Sequence, residues 1–383
     1  MARCPRCYRR LWGKEPCAVD GATATDAGDG FELAANPPVI PGYAVGEVLG
    51  AGAFSTVWAG RGEQAAATDW PVALKVARAP GAAAAARLRR ESAILVGIGP
   101  PAVARVLETG TAAGRAFIAM ERIAGAALAE ILARRQQPFA VAEAAAMVGG
   151  IAESVAAIHE AGVVHRDLKP ENVFAAAGQD SARVIDFGLA VAVGDAAAAG
   201  GTPEYAAPET LAPGLATTAT DSYALGALLF ELLTLWPPFV GDATHQAYAH
   251  AHLRPPPPSS RGAESGAGDD LVMACLAKDP AARPSAREVA AACAAIAAAS
   301  SETAVGRRVA IPAAPVLAPA ANDEDLACLV VARGPGTRLA RLLADAGAVL
   351  VAGDGARVTC AVTALEADRP AAAAVALARL AVG

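Results

Sequence analysis

The sequence predicts an α+β fold of two lobes, a β-rich lobe followed by a helical lobe, with a small module at each end. Between Tyr43 and Val76, short runs that alternate apolar and polar residues are separated by glycines, as in antiparallel strands. From about residue 124 the chain favours helix and is interrupted by short polar loops. Stretches rich in Ala, Pro, Gly and Asp set both ends apart from this central region.

The predicted segments follow this pattern along the chain. They are a cysteine knuckle at 1–21, a linker at 22–42, a central domain at 43–299 with lobes at 43–121 and 122–299, an Ala/Pro-rich linker at 300–325 and a small α/β segment at 326–383. The first lobe is expected to hold strands at Tyr43–Leu49, Ser55–Ala59 and Val72–Val76 and a helix at Ala82–Val96. The last segment is expected to hold strands at 326–332 and on both sides of Gly353–Gly355, a helix near 337–346 and a final helix.

Composition excludes some classes of protein. The chain has 383 residues, a net charge of −6 and 104 alanines, so alanine makes up half of the 54% hydrophobic content. No stretch reaches the roughly 18 uncharged apolar residues of a membrane helix, and the nearest are Ala224–Trp236 and Val289–Ala299. The mild acidity argues against a dedicated nucleic-acid binder. We therefore expect neither a membrane span nor a nucleic-acid partner.

Cysteine usage and the N-terminus bear on the compartment. The basic N-terminus is followed by no apolar run, which argues against a secretory signal. Seven cysteines, an odd number, do not form a disulfide framework in a chain of this length. A reducing, cytoplasmic environment is the expectation.

Three of the cysteines cluster in the N-terminal segment. Cys4, Cys7 and Cys17, with Asp20 in the fourth position, resemble a small zinc ribbon, and the paired thiolates have the spacing of a tetrahedral zinc site. Zn²⁺ also accepts a carboxylate ligand. A degenerate knuckle and free thiols are the alternatives.

A glycine-rich loop lies between the first two predicted strands. Leu49-Gly50-Ala51-Gly52 begins it, and glycine lets backbone amides approach phosphate oxygens. A simple hairpin turn explains the same pattern. A dinucleotide fold does not, because it requires a helix after the loop.

Rare residue types mark further positions. The chain has 4 lysines against 28 arginines, and only 3 asparagines. Lys75 lies in the middle of a predicted strand, where a compact ammonium suits a phosphate, and Glu91 on the next helix is placed to pair with it. A solvated strand lysine is the alternative.

The segment from His165 to Asn172 carries the strongest chemical signal. It contains a carboxylate that can accept a hydroxyl proton (Asp167), a lysine (Lys169) and an asparagine (Asn172), which together suit phosphoryl transfer. A short strand then delivers Asp186, and oxygen ligands of this kind suit Mg²⁺.

These motifs, in this order and spacing, resemble the bacterial branch of the eukaryotic-type serine/threonine protein kinases. The resemblance runs from about Tyr43 to Ala299, which is 257 of 383 residues, and includes Asp186-Phe187-Gly188 and the segment from Gly201 to Glu209. It implies the two-lobed protein kinase fold and transfer of the γ-phosphate of ATP to Ser or Thr hydroxyls of protein substrates, the chain itself included, in signal transduction.

The resemblance also implies roles for individual residues. Lys75 would hold the α- and β-phosphates and pair with Glu91, while Asp167 would be the catalytic base and Lys169 would lie near the γ-phosphate. Asn172 and Asp186 would bind Mg²⁺, with Mn²⁺ as an alternative. The implied ATP-binding residues are Leu49, Gly50, Gly52, Val57, Ala73, Lys75, Met120, Glu121 and Ile123. Structural and regulatory roles would fall on Arg166, Phe187, Thr202, Glu209, Asp221 and Arg283.

The activation segment departs from the family pattern. Between Gly188 and Thr202 there is no Ser, Thr or Tyr, although Arg166 stands where related chains pair an arginine with a loop phosphate. The hypothesis is that loop phosphorylation is not the switch and that Asp195 partly substitutes. A merely shortened, mobile loop is the alternative.

Two readings outside the kinase reaction stay open. Residues 326–383 weakly resemble part of a class III nucleotide cyclase domain that lacks its first metal-binding aspartate, and a generic α/β accessory domain explains them as well. A nucleotide-binding signalling scaffold is the alternative to an enzyme, and the intact Lys75, Asp167 and Asp186 argue against it.

Overall fold

The structure is a computed structural model that describes Arg10 and residues 37–62, 72–175, 182–263, 266–306, 326–333, 349–353 and 357–363. The chain divides into two units, Met1–Ala298 and Ala299–Gly383. The first unit contains a β-rich lobe and a helical lobe, which confirms the predicted α+β class.

The β-rich lobe is a five-stranded antiparallel sheet with one helix. Its strands are β1 (Tyr43–Ala51), β2 (Ser55–Gly62), β3 (Val72–Ala77), β4 (Val106–Ala112) and β5 (Arg115–Glu121), in the order β1-β2-β3-β5-β4, and its helix is α1 (Ala82–Ile98). The predicted strands and helix are all present and extend one to three residues further than the pattern indicated. All six residues of β3 are buried, because β2 and β5 pair with its edges and both of its faces are covered. Trp58 and Phe117 pack with Leu74, and Leu88 of α1 packs with Ala77.

The end of the predicted linker 22–42 belongs to this lobe. Ile40 is 2% exposed and packs in one apolar cluster with Trp58, Leu74 and Phe117. A backbone hydrogen bond from Tyr43 to the Ile40 carbonyl, 3.1 Å long, fixes its position. The linker prediction is therefore wrong at this end, because an isoleucine beside an open sheet face gains free energy by burial.

The helical lobe begins after β5. Its helices are α2 (Leu128–Arg134), α3 (Val141–Glu160), α4 (Ala219–Thr234), α5 (Ala243–His252), α6 (Ala267–Cys275) and α7 (Ala286–Gly306). Short strands complete it: β6 (Ala126–Ala127), β7 (Val163–Val164), β8 (Val173–Ala175), β9 (Ala182–Val184), β10 (Val191–Ala192), β11 (Ala196–Ala197) and β12 (Gly214–Leu215). They pair as β6-β8-β9, β7-β10 and β11-β12, and the first two groups flank the polar loops.

Helices α3 and α4 form the centre of this lobe. In α4 all fifteen residues from Thr220 to Thr234 are buried. The helix is therefore covered by protein on nearly every side, as expected of a central helix. At Gly226 an added Cβ would lie 2.4 Å from the Cβ of Cys275, so glycine allows α6 to pack closely against α4. The thiols of Cys275 and Cys293 are buried in the same core, and burial raises the pKa of each to about 12.

One helix of the described residues is long and apolar enough to cross a membrane. It is α3, which differs from the two stretches named from the sequence and whose apolar run is interrupted by Glu143 and Glu153. More than half of its most hydrophobic window is buried inside the lobe, as in the core helix of a globular domain. By itself this is weak evidence for a membrane span.

The predicted boundary at residue 299 falls inside a helix. Helix α7 continues from Ala286 to Gly306, so residues 300–306 are helical rather than part of a linker. Alanine has the highest helix propensity, and neither Gly nor Pro occurs between Ala286 and Gly306, which explains the continuation.

The described part of the second unit is a small antiparallel sheet. Its strands are β13 (Leu326–Arg333), β14 (Val349–Gly353) and β15 (Arg357–Thr363), with β15 in the middle. They lie where the sequence predicted strands. The two helices predicted near 337–346 and after residue 363 lie outside the described residues.

Candidate active site

A buried lysine on β3 lies between two carboxylates. The Nζ of Lys75 is 2.5 Å from Oε1 of Glu91 on α1 and 2.9 Å from Oδ1 of Asp186. Burial alone would lower the pKa of Lys75, but the two carboxylates raise it above the ordinary value. Lys75 is therefore held charged, because it is paired on both sides.

The carboxylate of Asp167 is the centre of a second cluster. The Thr202 hydroxyl donates to Oδ1 at 2.7 Å, and the Nζ of Lys169 is 2.8 Å from Oδ2. Lys169 also donates to the Thr202 hydroxyl at 2.9 Å, so the three side chains form a closed triangle. The Asn172 amide nitrogen donates to the Asp167 carbonyl at 2.9 Å and orients the loop.

Asp221 of α4 holds the loop that carries this cluster. Its carboxylate accepts the backbone N–H groups of His165 and Arg166, each at 2.8 Å, and the Nε2 of His159 lies 2.9 Å away. Burial by itself would raise the pKa of Asp221, but these donors lower it. Arg166 has a φ of 69°, a strained conformation for a residue with a side chain, and the two hydrogen bonds to Asp221 stabilise it.

An aromatic contact joins this loop to the segment after β9. The rings of His165 and Phe187 meet edge to face with centroids 4.8 Å apart, and the His165 Nε2 is 3.0 Å from the Ile185 carbonyl. The Phe187 N–H donates to Glu91 at 3.3 Å, and Leu95 of α1 is buried in the same core cluster as Phe187. The geometry thus brings the motif residues of both lobes into one cleft.

Comparison with known proteins identifies the family. Residues 43–292 match the family described as the protein kinase domain, which is well over half of the chain. This chain belongs to that family.

Several curated relatives of the kinase domain come from mycobacteria. The chain is 34% identical over 261 residues to the serine/threonine-protein kinase PknB of Mycobacterium leprae, covering 64% of this chain and 41% of that protein. It is 34% identical over 254 residues to PknB of Mycobacterium tuberculosis, covering 62% and 40%. It is 35% identical over 254 residues to the serine/threonine-protein kinase PknJ of Mycobacterium bovis, covering 63% and 43%. The chain therefore spans about two fifths of the length of these relatives.

The glycine-rich loop of the kinase domain forms the roof of the cleft. An added Cβ would meet no atom within 4 Å at Gly50 and only the Ser55 carbonyl, at 3.8 Å, at Gly52. Neighbouring protein atoms therefore do not require glycine at either position. The exposed ring of Phe54 at its tip lies under the Arg87 guanidinium of α1, 3.6 Å from the ring centroid.

The predicted adenine-binding residues lie along this roof and the segment that follows β5. Ala73 is buried and pairs with Met120 across the β3–β5 ladder, while Val57 pairs with Lys75. Leu49 is 38% exposed at the end of β1. Glu121 and Ile123 follow Met120, and within the described residues the backbone of Ile123 has no hydrogen-bond partner in the protein. Its N–H and C=O are thus available to a base.

The donor set fits Mg²⁺. The amide nitrogen of Asn172 points to Asp167, which leaves the carbonyl oxygen as its metal-binding end. The Asp186 side chain is half exposed and uses Oδ1 for Lys75, so Oδ2 has no partner among the described contacts. The electrostatic attraction to Lys75 lowers the pKa of Asp186 although burial would raise it, which keeps the carboxylate ionised for a metal. Among the described residues no cluster of three His, Cys, Asp or Glu side chains is placed to hold a metal.

An ion pair between Glu209 and Arg283, both predicted to have structural or regulatory roles, ties the activation segment to the helical lobe. Two guanidinium nitrogens of Arg283 donate to the two carboxylate oxygens of Glu209 at 2.7 and 2.8 Å. Arg283 also donates to the carbonyls of Ala219, Ala277 and Lys278, and its side chain is fully buried.

Arg166 contacts the activation segment through backbone carbonyls. Its guanidinium donates to the carbonyl of Leu189 at 3.4 Å and to that of Ala198. Asp195, the predicted substitute for a phosphate, is exposed and is not paired with Arg166 in the described contacts.

The predicted zinc ligands Cys4, Cys7, Cys17 and Asp20 lie outside the described residues. Four residues with clear structural roles here received no role from the sequence: Arg10, Glu171, Tyr205 and Glu231. Glu171 lies inside the catalytic-loop motif and Tyr205 lies inside the motif from Gly201 to Glu209, and these positions were the available signals.

Proposed function

We propose that this protein is a serine/threonine protein kinase that transfers the γ-phosphate of ATP to Ser or Thr hydroxyls of proteins, in cytoplasmic signal transduction. The observation that carries the proposal is the position of the Thr202 hydroxyl. It donates a hydrogen bond to the Asp167 carboxylate at 2.7 Å, and its oxygen accepts a hydrogen bond from the Lys169 ammonium at 2.9 Å. An acceptor hydroxyl with the same geometry would meet a proton acceptor and a cation together. Membership of the protein kinase family and similarity to serine/threonine-protein kinases support the same reaction.

The reaction assigns a step to each side chain. The acceptor oxygen forms a bond to the γ-phosphorus, the bond from that phosphorus to the β–γ bridging oxygen breaks, and the hydroxyl proton passes to Asp167. Lys75, fixed by Glu91, holds the phosphates of ATP. Asn172 and Asp186 would hold Mg²⁺, which when bound offsets the phosphate charge.

Substitution of Asp167 tests this proposal. We expect Asp167→Asn to reduce ³²P transfer from Mg-ATP to a generic protein substrate by about 10²-fold or more, because the proton acceptor is lost. Asp270→Asn, at an exposed aspartate of α6, is the matched control and should keep wild-type activity. Equal incorporation by wild type and Asp167→Asn would contradict the enzyme and favour a nucleotide-binding scaffold.

The activation segment supports a second proposal, that phosphorylation of this segment does not switch the kinase on. Arg166 donates to the carbonyls of Leu189 and Ala198, so its guanidinium is engaged without a phosphate. Thr202, the first hydroxyl residue after Gly188, is engaged with Asp167 and Lys169.

For the two terminal segments we make less detailed proposals. We propose a zinc knuckle of Cys4, Cys7, Cys17 and Asp20 on the basis of their spacing alone. Metal analysis of the purified full chain should give about one zinc per chain, and Cys4→Ala should abolish it. A zinc content that Cys4→Ala leaves unchanged would contradict the site. For residues 326–383 we propose an accessory α/β module, either a non-catalytic cyclase-like remnant or an unrelated fold.

A further inference from the structure

A cation–π contact joins the tip of the glycine-rich loop to helix α1. The guanidinium carbon of Arg87 lies 3.6 Å from the centroid of the Phe54 ring. Phe54 lies in the turn between β1 and β2, and Arg87 lies in the second turn of α1, four residues before Glu91. The contact therefore connects the roof of the cleft to the helix that supplies the partner of Lys75.

The Phe54 ring does not belong to the described apolar clusters of the β-rich lobe. Phe54 is 59% exposed, whereas the members of those clusters are buried. The backbone of the loop is fixed without the ring, because the Phe54 carbonyl accepts the Arg78 N–H and the Gly52 N–H donates to the Ser55 carbonyl, each at 2.9 Å. The ring thus adds little to the stability of the fold through burial.

The Arg87 guanidinium has an unsatisfied nitrogen. Its Nη1 is shielded from solvent and has no hydrogen-bond partner among the described residues. Loss of hydration without a hydrogen bond is unfavourable for a charged group, so another interaction must hold the guanidinium in this place. The Phe54 ring supplies it, because the negative face of an aromatic ring attracts a cation, and the attraction is stronger when the cation is desolvated.

Helix geometry places Arg87 on the side of α1 that carries Glu91. Successive residues turn by about 100° around a helix axis, so Arg87 lies within about 40° of Glu91, whereas Arg89 and Arg90 lie about 160° and 100° away. Arg89 and Arg90 are exposed. The side of α1 that fixes Lys75 is therefore also the side that contacts the loop tip.

We propose that Arg87 is a positioning residue for the nucleotide, which holds the glycine-rich loop closed over the phosphates of ATP through the Phe54 ring. This inference rests on the proposed kinase activity. It adds that the roof closes against α1, so that the loop and the Lys75–Glu91 pair act on the phosphates as one unit. Because Phe54 lies at the tip of the loop, the effect falls on the phosphates rather than on the base.

Nucleotide affinity of the full chain tests the proposal. The probes are Mg-ATP and adenosine, which lacks the phosphates, and calorimetric titration gives the Kd of each. We expect Phe54→Leu and Arg87→Gln each to weaken Mg-ATP binding by about fivefold, because either change removes the contact. The KM for ATP should rise by the same factor. The Kd of adenosine and the KM of a serine peptide should change by less than about twofold.

Further variants assign the effect to this contact. Arg90→Gln, at an exposed arginine of the same helix, is the matched control and should bind Mg-ATP as wild type does. Arg87→Lys keeps a cation and should stay within about twofold of wild type, and Phe54→Trp, with a ring that attracts cations more strongly, should bind at least as tightly. The double variant Phe54→Leu with Arg87→Gln should lose about fivefold rather than about 25-fold, because both changes remove one contact.

The outcomes separate this inference from the proposed function. Phe54 is largely exposed, so Phe54→Leu should unfold in urea at the wild-type midpoint, which excludes a folding defect as the cause. If neither single variant weakens Mg-ATP binding, if adenosine is weakened equally, or if the two effects multiply in the double variant, the inference is overturned and the kinase stands. If wild type binds Mg-ATP but transfers no phosphate, the proposed function fails, and the binding comparison still decides the role of Arg87.

Discussion

Single side chains with several hydrogen bonds fix the geometry of the cleft. Arg283 makes five described hydrogen bonds, two to Glu209 and three to backbone carbonyls, with its side chain fully buried. This arginine joins the segment around Glu209 to the loop after α6. Its contribution is therefore structural, at a distance from Asp167.

Arg283→Lys measures that contribution. Lysine keeps the charge but has three donors, so at least two of the five hydrogen bonds are lost and the acceptors are left buried. We expect the free energy of unfolding to fall by about 2 kcal/mol in urea titrations. Arg287→Lys, at the exposed pair with Glu160, should change it by less than about 0.5 kcal/mol. Equal effects of the two variants would contradict the structural role of Arg283.

Residue-level prediction from the sequence depended on local motifs. Lys75, Glu91, Asp167, Asn172 and Asp186 stand at fixed positions within short motifs, and the structure brings all of them into one cleft. Contacts to backbone carbonyls, such as those of Arg166, leave no trace in residue identity. The same holds for a pair such as His159 and Asp221, because a lone histidine in a helix has no distinguishing pattern.

At the scale of elements, the activation segment is held by its backbone. Carbonyls of the segment accept from Arg166, and the short strands β11 and β12 pair it to the residues before α4. Alanines at positions 196–199 suit this arrangement, because it needs no side chain.

We therefore expect a kinase that is active without a phosphate on this segment. After incubation with Mg-ATP, phosphosite mapping should find no stoichiometric phosphate at Thr202, and phosphatase treatment should leave the rate unchanged. A stoichiometric, activating phosphate on Thr202 would contradict this.

Helix α5 docks on α4 through a neutral histidine. The Tyr223 hydroxyl is 2.8 Å from Nδ1 of His250, and Nε2 is 3.1 Å from the Glu204 carbonyl, so one ring nitrogen accepts and the other donates. Burial and the nearby Lys278 ammonium lower the pKa of His250 to about 4. Protonation would remove the acceptor at Nδ1.

Acid should therefore destabilise the helical lobe through this contact. Between its ordinary pKa of 6.5 and about 4, His250 binds a proton in the unfolded chain but not in the folded chain, so stability falls as the pH falls. From pH 7 to pH 5 we expect His250→Gln to lose about 2 kcal/mol less unfolding free energy than wild type. His245→Gln, at an exposed position of α5, should follow wild type. If His250→Gln loses as much unfolding free energy as wild type, the contact between His250 and Tyr223 is not the cause of the acid sensitivity.

Element boundaries followed the sequence where alternation was clear and departed from it where alanine dominated. The strands near Tyr43, Ser55 and Val72 begin at the predicted residues. Helix α7 passes the predicted boundary at residue 299, because a run of alanines contains no signal that distinguishes a core helix from a linker. Burial by the tertiary structure, which makes Ile40 part of the β-rich lobe, is likewise not encoded in local composition.

For the whole molecule, the most informative contact joins residues that are far apart in sequence. Arg10 meets Glu171 and Glu231, which lie 161 and 221 residues away. No local pattern predicts such a pairing, because each partner is an ordinary charged residue in its own segment. The fold class and the catalytic motifs were predictable from local sequence, whereas the contacts of Arg10 with the kinase domain were not.

The buried thiols of Cys275 and Cys293 have a practical consequence. Burial raises the pKa of each to about 12, so in the folded chain they are both shielded and protonated, and an alkylating reagent reaches them only when the helical lobe opens. Their rate of alkylation in native buffer therefore records how often the core around α4 and α6 opens.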